Sequence, residues 1–181
     1  IISKRDYSEF SYSPEWDTDI KLTPSDLKLF HEDVFSGENG KIDIINSPTR
    51  KNKNIPGVLL LENNRTFGRT NNKKRLYYKC RPNNPHLPYF LIPYDMPMGF
   101  SKSFKNKYIT FSFISWNEKH PYGMVSQNIG DVYNLPSFYE YQLYCKNLHS
   151  PITKAISETK KKLQLQEYTD YFKTIENCPE K

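Results

Sequence analysis

The stretch from Trp116 to Val132, W-N-E-K-H-P-Y-G-M-V-S-Q-N-I-G-D-V, constrains the fold of this chain more than any other. Just before it, residues 108–115 (Y-I-T-F-S-F-I-S) alternate aromatic or aliphatic side chains with small ones, the period of a strand with one buried face. Pro121-Tyr122-Gly123 supplies turn chemistry: proline fixes one φ, and Gly123 is free to take a positive one. A second strand then runs from Met124 to Ile129 and stops at Gly130-Asp131. The result is a hairpin with a wide aromatic and basic corner, and the residues upstream read as the rest of its sheet.

Those upstream residues are short strand-like runs separated by turn signals. Residues 57–62 open the series, Asn63-Asn64 turns it, and residues 65–70 return as a partner strand. A polar turn at 71–75 leads to a strand at 76–81; a Pro/Asn loop at 82–88 leads to a short apolar strand, Phe90-Leu91-Ile92. Residues 93–107 form a long connection containing Gly99-Phe100. With no periodic helix between these runs, the pattern predicts a closed or partly closed antiparallel barrel and not a doubly wound sheet.

The flanks read differently. Residues 1–21 are expected to be an extended arm whose aromatics (Tyr7, Phe10, Tyr12, Trp16) pack on the body. Thr23-Pro24-Ser25-Asp26 has the chemistry of a helix start, with Leu27, Phe30 and Val34 on one face. Asn39-Gly40 is a tight-turn dipeptide, residues 42–45 a short strand, and residues 47–56 a solvated basic linker and candidate boundary. Past Gly130, Ser137 and Glu140 have capping-box spacing for a helix. Leu148, Ile152 and Ile156 continue a helical face, Pro151 forces a break, and residues 160–172 form a charged amphipathic helix. The expected division is an arm, helix and strand over 1–55, a barrel over 56–133, and C-terminal helices over 134–181.

Bulk properties narrow the class. The 181 residues suffice for one ordinary domain with extensions or two small ones. Only 36% are hydrophobic, but 14 Tyr and 11 Phe enlarge the core that those can make, which argues against disorder despite a mean hydropathy of -0.78. A net charge of +6 and a pI near 9.1 fit either a polyanion partner or a soluble Lys-rich surface. Cys80, Cys145 and Cys178 are odd in number and lack C-x-x-C spacing, as expected of thiols in a reducing, cytoplasmic compartment. No apolar run reaches membrane-spanning length and no signal-peptide core opens the chain. The missing initiator Met and the uncapped end are read as those of a piece of a longer protein. The excess of Asn, Lys, Ile and Tyr is that of A/T-rich coding, as in some viral and microbial genomes.

The chemistry-bearing pattern is basic residues interleaved with aromatics on adjacent strands. It comprises Arg65, Phe67 and Arg69, then Lys73, Lys74, Arg75, Tyr77, Lys79 and Arg81, then Lys119, His120 and Tyr122 at the hairpin corner. Single-stranded nucleic acid is bound this way because cations neutralise phosphates while ring faces stack bases without demanding sequence. Strand alternation puts Tyr77, Lys79 and Arg81 outside and Leu76, Tyr78 and Cys80 on the core face. Trp116 reads as a plug for one end of the barrel. Cys145 and His149, four apart on a possible helix, have ligand-compatible spacing but no second pair, and no metal or catalytic site is assigned.

In order and spacing, Trp116, Pro121, Gly123, Ile129-Gly130 and the helix acid Glu140 resemble the second cold-shock-like OB domain of the RNase II/RNase R exoribonucleases. Residues 87–94 (L-P-Y-F-L-I-P-Y) look like the strand that this family places before the hairpin. The likeness runs roughly from Pro56 to Leu148; His120 departs from it, standing where the eukaryotic branch usually has Tyr. The resemblance implies a mainly β fold, a five-stranded antiparallel OB barrel. It also implies that the helices after it lead to a catalytic domain beyond Lys181, where an Asp cluster would hold Mg²⁺. The chain itself, with no cofactor, is then expected to grip single-stranded RNA and not cut it. The alternatives are a freestanding OB protein binding single-stranded DNA or RNA, and a protein-docking module without nucleic-acid binding.

Overall fold

A computed structural model describes residues 1–13, 23–38, 41–71, 75–96 and 104–163. Its centre is a closed barrel of β3 (Ile55–Leu59), β4 (Leu76–Pro82), β5 (Phe90–Tyr94), β6 (Lys107–Ser115) and β7 (Tyr122–Asp131), in the order β3-β4-β5-β7-β6. That is the strand order of an OB barrel, and the fold is mainly β, as expected. The expectation of a wholly antiparallel barrel is corrected at one seam: β5 and β7 are parallel, paired at Leu91↔Tyr122. Both strands start at the same end of the barrel, and β6 intervenes in sequence to bring the chain back, so their direction follows from the hairpin.

Two strand assignments change. β3 pairs directly with β4 (Gly57↔Pro82, Leu59↔Cys80), so residues 65–70 are not its partner. Their backbone instead folds back on the start of β4: the Phe67 N–H donates to the Tyr77 carbonyl and the Tyr77 N–H to the Gly68 carbonyl. Gly123 sits inside β7 opposite Phe113 and not at a positive φ. It is required there because an added Cβ would lie 2.9 Å from the Ser112 carbonyl oxygen.

The core follows the alternation of the strands. Leu59, Tyr78, Cys80, Phe90, Ile92, Ile109 and Phe111 are buried within one cluster. At about 25 cal/mol per Å² of apolar area, such side chains supply the main driving force. The end of the barrel where β4 and β6 finish is closed by Trp116, as the plug reading expects, stacked on Phe30 (4.8 Å) with the Tyr7 ring edge-on (5.9 Å).

Phe30 does not arrive there on a helix. Residues 24–28 form consecutive turns, Lys28 and Glu32 take positive φ, and Val34 begins strand β1 (Val34–Glu38). Thr23 still caps locally, accepting from the Asp26 N–H, but the left-handed residues prevent a helix from propagating. β1 pairs with β2 (Lys41–Asn46) as a two-stranded ribbon; the Asn39-Gly40 turn between them lies outside the described residues.

The basic segment 47–56 is not a solvated loop. Ser47 caps a short helix, α1 (Pro48–Lys51), and Arg50 turns inward over the Phe30 and Phe113 rings at 5.1 and 4.8 Å. Its Nη2 donates to the Lys28 carbonyl (2.7 Å), and its charge faces Asp33. The buried Asp33 carboxylate accepts from Ser47 Oγ (2.5 Å) and the Phe30 N–H (2.9 Å). Burial raises its pKa above the ordinary value, while Ser47, the Phe30 N–H and Arg50 oppose the rise.

Contacts divide the chain into two compact units, 1–145 and 146–181. In the first, α2 (Leu135–Cys145) covers the outside of β3, β6 and β7, stacking Tyr141 on Tyr108 at 4.3 Å. It starts two residues before the expected cap, so Ser137 is buried within its first turn. In the second, α3 (His149–Leu163) carries Pro151 in its first turn, after a break at Asn147, where φ is positive. The remainder of the expected 160–172 helix lies outside the described residues, as does Cys178. Cys145 and His149 thus belong to different elements, not to one helix face.

Residues 1–13 clasp the barrel, with Ile2 and Tyr7 buried. The Ile2 N–H donates to His31 Nδ1 (3.0 Å), His86 Nδ1 donates to the Ser3 carbonyl (3.1 Å), and the two imidazoles stack at 4.5 Å. Partial burial, then the His86 ring, hold the His31 pKa below its ordinary value, against the opposing Glu32 carboxylate. The unfolded chain accepts a proton near pH 6.5, where the docked His31 still resists it. Docking is therefore complete above that pH and weakens as pH falls through the lowered value. The protection factor of the Ile2 amide in hydrogen exchange is expected to drop on that side, and His31→Gln, which keeps an acceptor, to abolish the drop. A second expectation concerns Gly130, where φ is +146 and a Cβ would lie 2.2 Å from Ser137 Oγ. Gly130→Ala should lower stability by about 1–3 kcal/mol in denaturant unfolding.

Candidate nucleic-acid interface

With α2 covering β3, β6 and β7, the outer face of β4, half-buried at Tyr77 and Lys79 and exposed at Arg81, is the open side of the barrel. β4 alternates as expected: Tyr78, Cys80 and Pro82 are buried, while Tyr77 and Lys79 are half-buried and Arg81 exposed on the other face. Two connections frame this face. The β3–β4 connection folds back through its backbone bonds to Tyr77 and brings Phe67 over the strand. At the seam the Leu91 N–H donates to the Pro121 carbonyl (2.8 Å), which brings the hairpin corner against β4.

The side chains that converge there form two groups. In the first, Lys79 Nζ lies 4.8 Å from the Phe67 ring centroid and 5.5 Å from that of Tyr89. The Arg65 guanidinium lies 5.5 Å from Phe67, and Arg5, from the N-terminal arm, 5.3 Å from Tyr89. Cations and rings thus interleave as Arg65, Phe67, Lys79, Tyr89, Arg5. Among the described residues no carboxylate forms an ion pair with Arg65, Lys79 or Arg81. Ring contacts of this kind contribute only about 0.5–1 kcal/mol at exposed sites, so they orient the charges without neutralising them.

The second group is Tyr77 and Tyr122, edge to face at 5.1 Å. The Tyr122 hydroxyl donates to Glu118 Oε2 (2.9 Å), which fixes the ring. Beside it, His120 is held below its ordinary pKa by burial, then by the charges of Lys79 and Lys119. The Lys79 contribution places His120 of the hairpin corner close to the charged end of the β4 side chain.

Of the residues singled out in the sequence, the structure brings together Arg65, Phe67, Tyr77, Lys79, His120 and Tyr122, with Arg81 on the same strand face and Lys119 at the corner. Arg75 differs: its Nε donates to Asp95 at 2.7 Å, so its charge is already compensated. Arg69 is exposed and bridges Leu76 through its backbone. Lys73 and Lys74 lie outside the described residues.

Two members were not singled out. Tyr89 was legible in principle: with Phe90 and Ile92 inward, alternation turns Tyr89 outward at the entry to β5. Arg5 carried no local signal. Its Nη2 donates to the carbonyls of Pro82 (3.0 Å) and Asn84 (3.2 Å), some eighty residues away in sequence, at separations of 77 and 79. Burial lowers the Arg5 pKa, Tyr89 opposes this, and nearby Arg81 adds to it.

Among the described residues, no group of three or more His, Cys, Asp or Glu is placed to hold a metal ion, and no helix is long and apolar enough to cross a membrane. Cys80 is buried and its thiol pKa pushed up by burial. Compared with protein-family models, curated proteins and solved structures, the chain has no match.

Proposed function

We propose that this chain binds single-stranded RNA across the outer face of β4, between the β3–β4 connection and the hairpin corner. The observation that carries the reading is Lys79: an ammonium oriented by two aromatic rings, with no described carboxylate to neutralise it, at the centre of the open face of an OB-like barrel. OB barrels use this strand face and these two connecting loops for oligonucleotides. A face that combines cations with rings suits a flexible polyanion bearing bases. The net charge of +6 acts in the same direction by drawing the polyanion in.

The order of Trp116, Pro121, Gly123 and Gly130 along the closing hairpin supports the further reading that the chain is the RNA-gripping module of an RNase II/R-like 3′-to-5′ exoribonuclease. It would pass the strand to a catalytic carboxylate cluster elsewhere in the same polypeptide, where Mg²⁺ would act. A protein-docking role has one observation in its favour. Tyr133, Leu135 and Tyr139, at and around the start of α2, are 73%, 60% and 61% exposed. Large apolar side chains exposed together around one helix start are a common mark of a protein-binding surface.

Fluorescence anisotropy with labelled oligo-U across a salt series separates the readings. Phosphate contacts make log K fall linearly with log salt, by about 0.7 per contact for a single strand. The expected result is binding with a steep slope, reduced by roughly 1.4 in Lys79→Glu/Arg81→Glu. Binding by a folded double variant with an unchanged slope rules out this face, and binding of the wild type with no salt dependence favours docking.

A further inference from the structure

The RNA-binding reading treats the face as one mixed surface, but its side chains fall into two physically different sets. The Phe67 and Tyr89 rings each have cations over them: Arg65 and Lys79 on Phe67, Lys79 and Arg5 on Tyr89. A ring so engaged offers its face to a base only after the cation leaves. The Tyr77–Tyr122 pair has no cation over either ring among the described residues, and is held by its own edge-to-face contact and the Glu118 hydrogen bond.

We infer that the face divides its ligand, resting on the RNA reading above. Lys79, with Arg65, takes the sugar-phosphate backbone, with Phe67 and Tyr89 as positioning rings; Tyr77 and Tyr122 form the platform on which a base stacks. The two jobs impose different requirements. A phosphate is satisfied by charge at a fixed place, and two rings fix the end of a lysine that would otherwise sample many rotamers. A base is satisfied by a π-face with no cation over it on a fixed ring, and the Glu118 hydrogen bond fixes the ring of Tyr122. The partition also accounts for Tyr89, which is not itself a base platform but one of the two rings that place the Lys79 charge.

A pair of probes reads the two jobs independently: labelled oligo-U, and a strand of the same length whose central nucleotides are abasic, keeping phosphates and losing bases. Lys79→Gln should weaken both strands equally and lower the salt slope of each by about 0.7. Tyr77→Leu and Tyr122→Leu should weaken oligo-U by roughly 5- to 150-fold, the stacking contribution per base. They should leave the abasic strand and both salt slopes unchanged, and Tyr77→Phe, which keeps the ring, should bind as wild type does. Tyr89→Leu should reproduce part of the Lys79→Gln loss on both strands. Tyrosine variants that weaken both strands equally overturn the partition while the RNA reading stands; Lys79→Gln with an unaltered slope overturns the partition and removes Lys79 as the support of the RNA reading at this face. Wild type that binds neither strand overturns the RNA reading and the partition with it.

Discussion

The structure depends on a very short seam. β5 and β7 meet through a single registered pair, Leu91↔Tyr122, and the bond from the Leu91 N–H to the Pro121 carbonyl closes the barrel there. One such bond contributes about 1 kcal/mol, but its geometric effect is larger than its energy. It turns a five-strand sheet into a cylinder and fixes where the hairpin corner lies. Proline at 121 suits the place: it lacks an N–H, its carbonyl is the acceptor the seam needs, and its ring is fully buried. Tyr122 reaches Tyr77 because the seam holds.

At the end closed by Trp116, the fold does something less economical. Asp33 and Arg50 are brought under the aromatic cap, a costly place for charge unless each polar atom is satisfied. Asp33 is, by Ser47, the Phe30 backbone and Arg50, whereas Arg50 keeps Nε buried without a hydrogen bond. What the arrangement secures is position. It ties α1 and the turns at 24–28 to one point on the barrel and lays the guanidinium over Phe30 and Phe113. The N-terminal arm then packs Tyr7 on Trp116 and carries Arg5 to Tyr89, so the cap at one end and the cation row on the outer face share a single anchored segment.

How much of this could be read from the sequence depends on the range of the interaction that decides each element. β4, β5 and the β6–β7 hairpin were legible because alternation with one buried face is local, and the outward set Tyr77, Lys79 and Arg81 followed from it. Residues 65–70 read as the partner of β3 because their polar and aromatic alternation is that of a strand, whereas their backbone bonds go to Tyr77 and Leu76 at the start of β4. The helix expected after Thr23 failed because apolar residues at helical spacing also suit a segment of turns whose Phe30 is drawn into a distant core. Arg50 looked solvated since nothing nearby announces Asp33 or the two phenylalanines. Arg5 and Tyr89 joined the site through contacts that tertiary packing alone creates.

The β1–β2 ribbon stands apart from this economy of closure. The barrel closes on itself, so each of its strands has a neighbour on both sides, but among the described residues each ribbon strand pairs with the other alone and so keeps one open edge. Val34, Ile44 and Ile45 are 52%, 36% and 67% exposed on it. An apolar, two-stranded edge is a template onto which another extended chain can add. Self-association of a concentrated or partly loosened sample would therefore begin here, by strand addition, far in character from the basic outer face of β4. Ile45→Lys would blunt that edge by placing a charge where an added strand has to pack.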